Sequence, residues 1–145
     1  MNKSIIAALT LLVSFSAFAT DVSVENGRDY KYSKDFVKAS VGTDLFGLNV
    51  AANVQSAQNT YKAYGVSASK TVATFGAVSV APVVGVQYFN PQTGAGGYVG
   101  TAGVSAAYAL TKTAALTADF TRRVSLSDGK AFEGNLAGLG LKVSF

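Results

Sequence analysis

Three residue types are missing altogether: the 145-residue chain has no cysteine, no histidine and no tryptophan. Without cysteine there is no disulfide framework, no thiolate metal site and no residue to carry the acyl anchor of a bacterial lipoprotein. Without histidine, the commonest general base and the commonest transition-metal ligand are gone. Charged residues are scarce at 14%, and there are only 2 prolines. No stretch reaches the roughly 18 consecutive apolar residues of a spanning helix. The 12 basic and 8 acidic residues give a net charge of +4. They form no basic tract, and the densest patch mixes Arg28, Lys31, Lys34 and Lys38 with Asp29 and Asp35. That mixture argues against a nucleic-acid partner. What abounds is apolar or small, with 49% hydrophobic residues and 15 glycines. Such a chain has either a dense all-β core or a barrel wall facing lipid.

The first 19 residues read as an export segment. Lys3 gives a positive start, Ile5 to Val13 an apolar core, and Ala17-Phe18-Ala19 a small-x-small cleavage site. The expected division is therefore a cleaved signal peptide over residues 1–19 and a single domain over 20–145. Cleavage removes Lys3, which leaves 11 basic and 8 acidic residues and a charge of +3.

The remainder alternates with period two, so successive side chains point to opposite faces of strands. In the last segment Ala137, Leu139, Leu141, Val143 and Phe145 oppose Gly138, Gly140, Lys142 and Ser144. Six more segments behave alike, with apolar faces built on Val37–Val41, Phe46–Val54, Tyr64–Ala68, Val78–Tyr88, Tyr98–Leu110 and Leu116–Leu126. The opposite faces carry mostly Gly, Ala, Ser, Thr and Asn, which suit a narrow lumen better than a soluble surface. Tyr98 and Tyr108 stand ten residues apart on one apolar face. At a tilted strand's rise that is roughly 25 Å along the membrane normal, the height of an outer-membrane apolar band.

The terminal strand resembles the C-terminal assembly signal of bacterial outer-membrane barrels: Leu139, Leu141 and Val143 at alternate positions before a final Phe145. With the export segment, the chain as a whole looks like the small eight-stranded outer-membrane barrels, the class of the outer-membrane protein A transmembrane domain and the outer-membrane protein X group. The resemblance implies an all-β fold, a closed antiparallel up-and-down transmembrane barrel of 8 strands. It also implies the outer membrane of a Gram-negative bacterium, and outer-membrane lipid, lipopolysaccharide and the barrel-assembly machinery as partners. Even strand number requires an eighth strand before Phe36, and Asp21 to Asn26 is the candidate. Asp44-Leu45, Thr71 to Phe75 and Thr111 to Thr113 then become periplasmic turns. Gly27 to Asp35, Ser56 to Thr60, Asn90 to Gly97 and Ser127 to Gly134 become short outer loops, which leave room for an unidentified partner. Pro82 lies inside a strand, where it removes a ladder donor and calls for a bulge.

The small-barrel enzymes this class contains use histidine, so none of their sites can be assembled. The carboxylates Glu25, Asp119 and Glu133 show no pairing by spacing. The expectation is no enzyme, no cofactor and no metal. The favoured function is a structural or interaction barrel with a plugged polar lumen. The alternatives are a narrow channel for ions or small solutes, and a soluble exported β-sandwich or lipocalin-like binder. By alternation Glu25, Lys38, Asp119, Arg123 and Lys142 point inward as a polar network. Glu25 and Lys142 are the candidate partners of Asp119 and Arg123. Lys62 and Arg122 fall on apolar faces near the outer end, where they could meet lipopolysaccharide phosphates.

Overall fold

A computed structural model describes residues 20–126 and 132–145; the export segment and most of the last outer loop lie outside them. Nine strand segments follow one another: β1 (Asp21–Asp29), β2 (Lys34–Leu45), β3 (Leu48–Ala57), β4 (Tyr61–Ser69), β5 (Ala73–Phe75), β6 (Val78–Pro91), β7 (Gly97–Ala109), β8 (Ala114–Ser125) and β9 (Gly134–Ser144). All pairings are antiparallel: consecutive segments pair except β4 and β5, which both pair β6, and β1 pairs β9. The β4 and β5 segments are two parts of one barrel strand, so the sheet closes with eight. The expected first strand exists and runs on to Asp29.

The ladders fix the geometry. A walk straight across them from Lys34 passes Asp29, Leu136, Thr121, Gly103, Val83, Ser69 and Asn49. It re-enters β2 at Asp44, ten residues below its start. Eight strands with a shear of ten give a tilt of about 41° and a radius of roughly 8 Å, wide enough for side chains.

The interruption in the fourth barrel strand lies opposite Pro82. Ser69 pairs Val83, whereas Ala73 pairs Val80, so Lys70, Thr71 and Val72 face only Ala81 and Pro82. This is the bulge expected at the proline, because Pro82 has no N–H for a ladder. On its other side Pro82 keeps Val104 as its partner.

Several connections differ from the sequence expectation. The first hairpin turns at Phe46-Gly47, with Leu45 paired to Leu48, and not at Asp44-Leu45. Phe46 therefore leaves the apolar face of β3 and takes a left-handed φ of 53° beside Gly47 at 81°. Both central residues thus have the positive φ of a two-residue type I′ hairpin. Thr71 to Phe75 is not a turn: its last three residues form β5, and the turn falls at Gly76-Ala77. The Gly27 to Asp35 loop shrinks to four residues, 30–33, because β1 and β2 stay paired up to Asp29 and Lys34.

One face of the closed sheet is apolar and exposed. Val24, Tyr64, Val66, Val84, Val86, Val104, Phe120, Leu139 and Leu141 all lie on it. A soluble barrel has its apolar face inside, and a sandwich has two packed sheets. This single closed sheet, apolar outside, is neither. Tyr64, Tyr88 and Tyr98 are register neighbours near the end that carries the longer loops. Tyr108 and Phe145 are exposed at the end that carries both termini and the short turns.

Candidate functional site

The inward face divides into two halves. At the loop end it is filled by large side chains. Phe36, Ala57, Tyr61, Ala63, Phe89, Val99 and Leu136 form a buried cluster, with Tyr32 and Phe132 packed against it. Phe89 stands 4.5 Å from Tyr61 and 4.7 Å from Phe132, ring centre to ring centre. Arg123 is buried among these rings at 1% exposure. Its guanidinium carbon lies 4.8 Å from the centre of the Phe89 ring and 5.2 Å from that of Tyr61. Its Nη1 donates to Asp29 Oδ2 at 2.8 Å, and its Nε donates to the Phe132 carbonyl at 2.7 Å. Asp29 is fully buried, and its Oδ1 accepts the backbone N–H of Lys31 at 3.0 Å. Two buried charges are expensive unless paired and hydrogen-bonded; here they pair with each other, and of the Arg123 nitrogens Nη2 alone is buried without a hydrogen bond. Burial raises the loop residue Tyr32's phenol above its ordinary value, with Arg123 opposing the shift, so its ring packs as a neutral group.

A layer of amides lies beneath. Gln55 donates to the Tyr61 hydroxyl at 2.6 Å, and Gln87 donates to Asn53 Oδ1 at 2.9 Å. Below that, at the middle of the lumen, Lys38 pairs with Glu25 and reaches Asp119 at 3.9 Å. Gly138 makes room for the Glu25 carboxylate, which would have to shift if a Cβ stood there. Nearer the termini Lys142 pairs with Asp21 at 3.6 Å, and Asn49 donates to the same carboxylate at 2.6 Å.

The terminal half is hollow. A cavity of about 710 Å³ is lined by these charged groups on one wall, with Ser105 beside Asp119, and by Ser67, Ser69 and Ser79 on the other. Asp44, Gly47, Thr71 and Ser144 also line it, which places its mouth at the terminal end. Small inward residues line this half, and aromatic ones pack against one another in the other.

The five side chains expected to form one network all lie on the inward face, but not as one group. Glu25, Lys38 and Asp119 meet. Lys38 and Asp119 do so across the lumen, since β2 and β8 are not adjacent. Closure thus gives Glu25 and Asp119 a shared lysine that their spacing did not reveal. Arg123 and Lys142 stand apart from this group: their partners are Asp29 and Asp21, not Asp119 or Glu25. Asp29 escaped the sequence reading because it was assigned to a loop. The aromatic layer escaped it too, although Phe36, Tyr61, Phe89, Val99 and Leu136 all sit at inward positions by period two. The available signal was a run of large apolar residues on the small-residue face, repeated at the same end of five strands. Lys62 and Arg122 are exposed on the outward face, on β4 and β8, far apart around the wall. Arg122 donates to Asn135 at 3.2 Å on the adjacent strand, and Arg28 pairs with Asp35 at 2.9 Å nearby.

No family model and no curated protein matches the sequence. Solved structures match the fold. The designed transmembrane β-barrel TMB2.3 is similar at a TM-score of 0.63 and 15% identity, over 88% of this chain and 94% of that one. Neisserial surface protein A (NspA) matches at 0.62 and 16%, over 86% and 94%. The outer membrane protein Ail of Yersinia pestis matches at 0.56 and 11%, over 87% and 99%. The chain has the fold of the small eight-stranded transmembrane β-barrels.

Proposed function

We propose that the protein is a non-catalytic barrel of the Gram-negative outer membrane, with a lumen plugged toward the outside and open as a blind vestibule toward the periplasm. The observation that carries this is the layer around Arg123, Asp29, Tyr61 and Phe89. All four are at most 2% exposed, which supports a plug at this level. Eight strands give an interior that side chains fill, and at the loop end they do. The absence of histidine removes the bases and metal ligands on which most hydrolytic sites depend.

On this reading the outward tyrosines mark the outer headgroup level. Arg122 and Lys62 then reach lipopolysaccharide phosphates from opposite sides of the wall. Phe145 presents its ring to the barrel-assembly machinery. Planar-bilayer recording tests the plug: the native protein gives no steady conductance, and Phe89→Ala combined with Arg123→Ala does. Steady native conductance would sink the plug and favour a narrow channel.

A further inference from the structure

The vestibule is more than unfilled space, because its two walls differ in chemistry. We propose that it binds short zwitterionic peptides of two or three residues that enter from the periplasm, an inference that rests on the plugged-barrel reading.

The charged wall has an unequal balance. The side chains that line the cavity include four carboxylates, Asp21, Glu25, Asp44 and Asp119, against three ammonium groups, Lys38, Lys70 and Lys142. Lys38 is committed to Glu25, and at 3.9 Å it serves Asp119 poorly. Asp119 also lies within hydrogen-bonding reach of Glu25, so at the inner end of the cavity two carboxylates share one ammonium, and an incoming ammonium would be their natural second partner. Lys142 is loosely held at 3.6 Å, and its side chain is 34% exposed. It can turn to a ligand carboxylate without stranding Asp21, which keeps the Asn49 amide.

The spacing fits. Lys142 stands opposite Ala115 on the neighbouring strand, four residues from Asp119, or about 13 Å at a strand's rise. An extended chain of three residues spans about 10 Å, and the two side chains reach toward each other over the rest. A zwitterion also adds no net charge to a chamber surrounded by lipid, where an unpaired ion is costly. The facing wall completes the site. There, among the described residues, the hydroxyls of Ser69 and Ser79 line the cavity and make no hydrogen bond to protein. They are free to meet peptide amides. The lining serines and alanines are narrow enough to admit a slender chain.

The experiment is calorimetric titration of the folded protein in detergent micelles with trialanine, and with trialanine acetylated at one end and amidated at the other. Trialanine binds, and the capped peptide binds roughly tenfold more weakly or worse, the loss expected for two charge-assisted contacts. Asp119→Asn and Lys142→Gln each weaken trialanine by roughly tenfold. Arg28→Gln, on the outer surface, leaves binding unchanged. Each variant is first shown to keep the native shift in gel mobility on boiling, so a null result is not loss of fold. No heat from trialanine, equal binding of the capped peptide, or unaffected variants would overturn the proposal. Bilayer conductance reports on the plug independently: silent bilayers with no peptide binding defeat this inference alone.

Discussion

Arg123 and Asp29 are 94 positions apart in the chain and meet at 2.8 Å inside the barrel, both closed off from water. The contact joins β8 to β1 across β9, so it forms only when the sheet closes. Removing one partner of such a pair leaves an uncompensated buried charge, at a cost of about 3–5 kcal/mol. Asp29→Ala is therefore expected to lower stability by that amount in urea titrations read by gel mobility. Adding Arg123→Met to it recovers part of the loss. A double variant no better than Asp29→Ala would show that the ion pair is not what the burial depends on.

Phe89 is fully buried and touches Tyr61, Phe132 and Arg123. Phe89→Ala should cost about 3–5 kcal/mol, the usual range for emptying an aromatic site in a core. By contrast Phe120→Ala, on the lipid-facing side at 54% exposure, should cost much less. Equal costs in the same denaturant titration would mean that the plug is not a packed core.

The strand pattern was legible because its cause is local: period-two alternation puts one face outward whatever the rest of the chain does. The position of Pro82 was legible as a bulge for the same reason, since a proline's missing donor is a property of one residue. The contents of the lumen were less so. Which inward charges meet depends on the shear and on the reach of each side chain across the barrel. Lys38 finds Asp119 from a strand that is not its neighbour, and no sequence spacing encodes that. Phe46 shows a different limit. In Leu45-Phe46-Gly47-Leu48 the apolar pattern runs through the turn, and only Gly47 hints at it.

That turn yields its own test. A bulky residue in the left-handed region costs roughly 1–2 kcal/mol, and asparagine tolerates it better. Phe46 is fully exposed, so no packing is lost by replacing it. Phe46→Asn is expected to raise stability by about 1 kcal/mol in the urea titration. A destabilised variant would point to a membrane-anchoring role that outweighs the strain.

Phe145 is 78% exposed, and its backbone N–H donates to the Thr20 carbonyl at 2.8 Å. Its ring packs little inside the fold, as does Leu126 at 60% exposure. Deleting Phe145 should nonetheless reduce the amount of protein in the outer membrane far more than Leu126→Ala, because in the proposed function the assembly machinery reads the terminal aromatic. Quantifying both variants in isolated outer membranes checks this. Equal, mild effects would remove any special role for the terminal aromatic.

Arg122 lies toward the loop end, level with the amide donor–acceptor contact it makes to Asn135. A cation at the bilayer midplane costs about 2–4 kcal/mol, and one at the interface about 0–1. Arg122→Gln and Lys62→Gln should each leave stability in phosphatidylcholine vesicles nearly unchanged. In vesicles that contain lipopolysaccharide they should lose part of the added stability. A large gain from either substitution in phosphatidylcholine would place that charge at mid-bilayer and shift the register of the whole wall.

The central claim is a closed barrel that spans the outer membrane, and one gel tests it most directly. Protein extracted from isolated outer membranes is run with and without boiling. The account predicts that the unboiled protein stays folded in detergent and migrates at a different apparent mass, and that boiling converts it to the position of an unfolded chain of 14.9 kDa or less. Identical mobility before and after boiling, or recovery of the protein in the soluble periplasmic fraction, would contradict it.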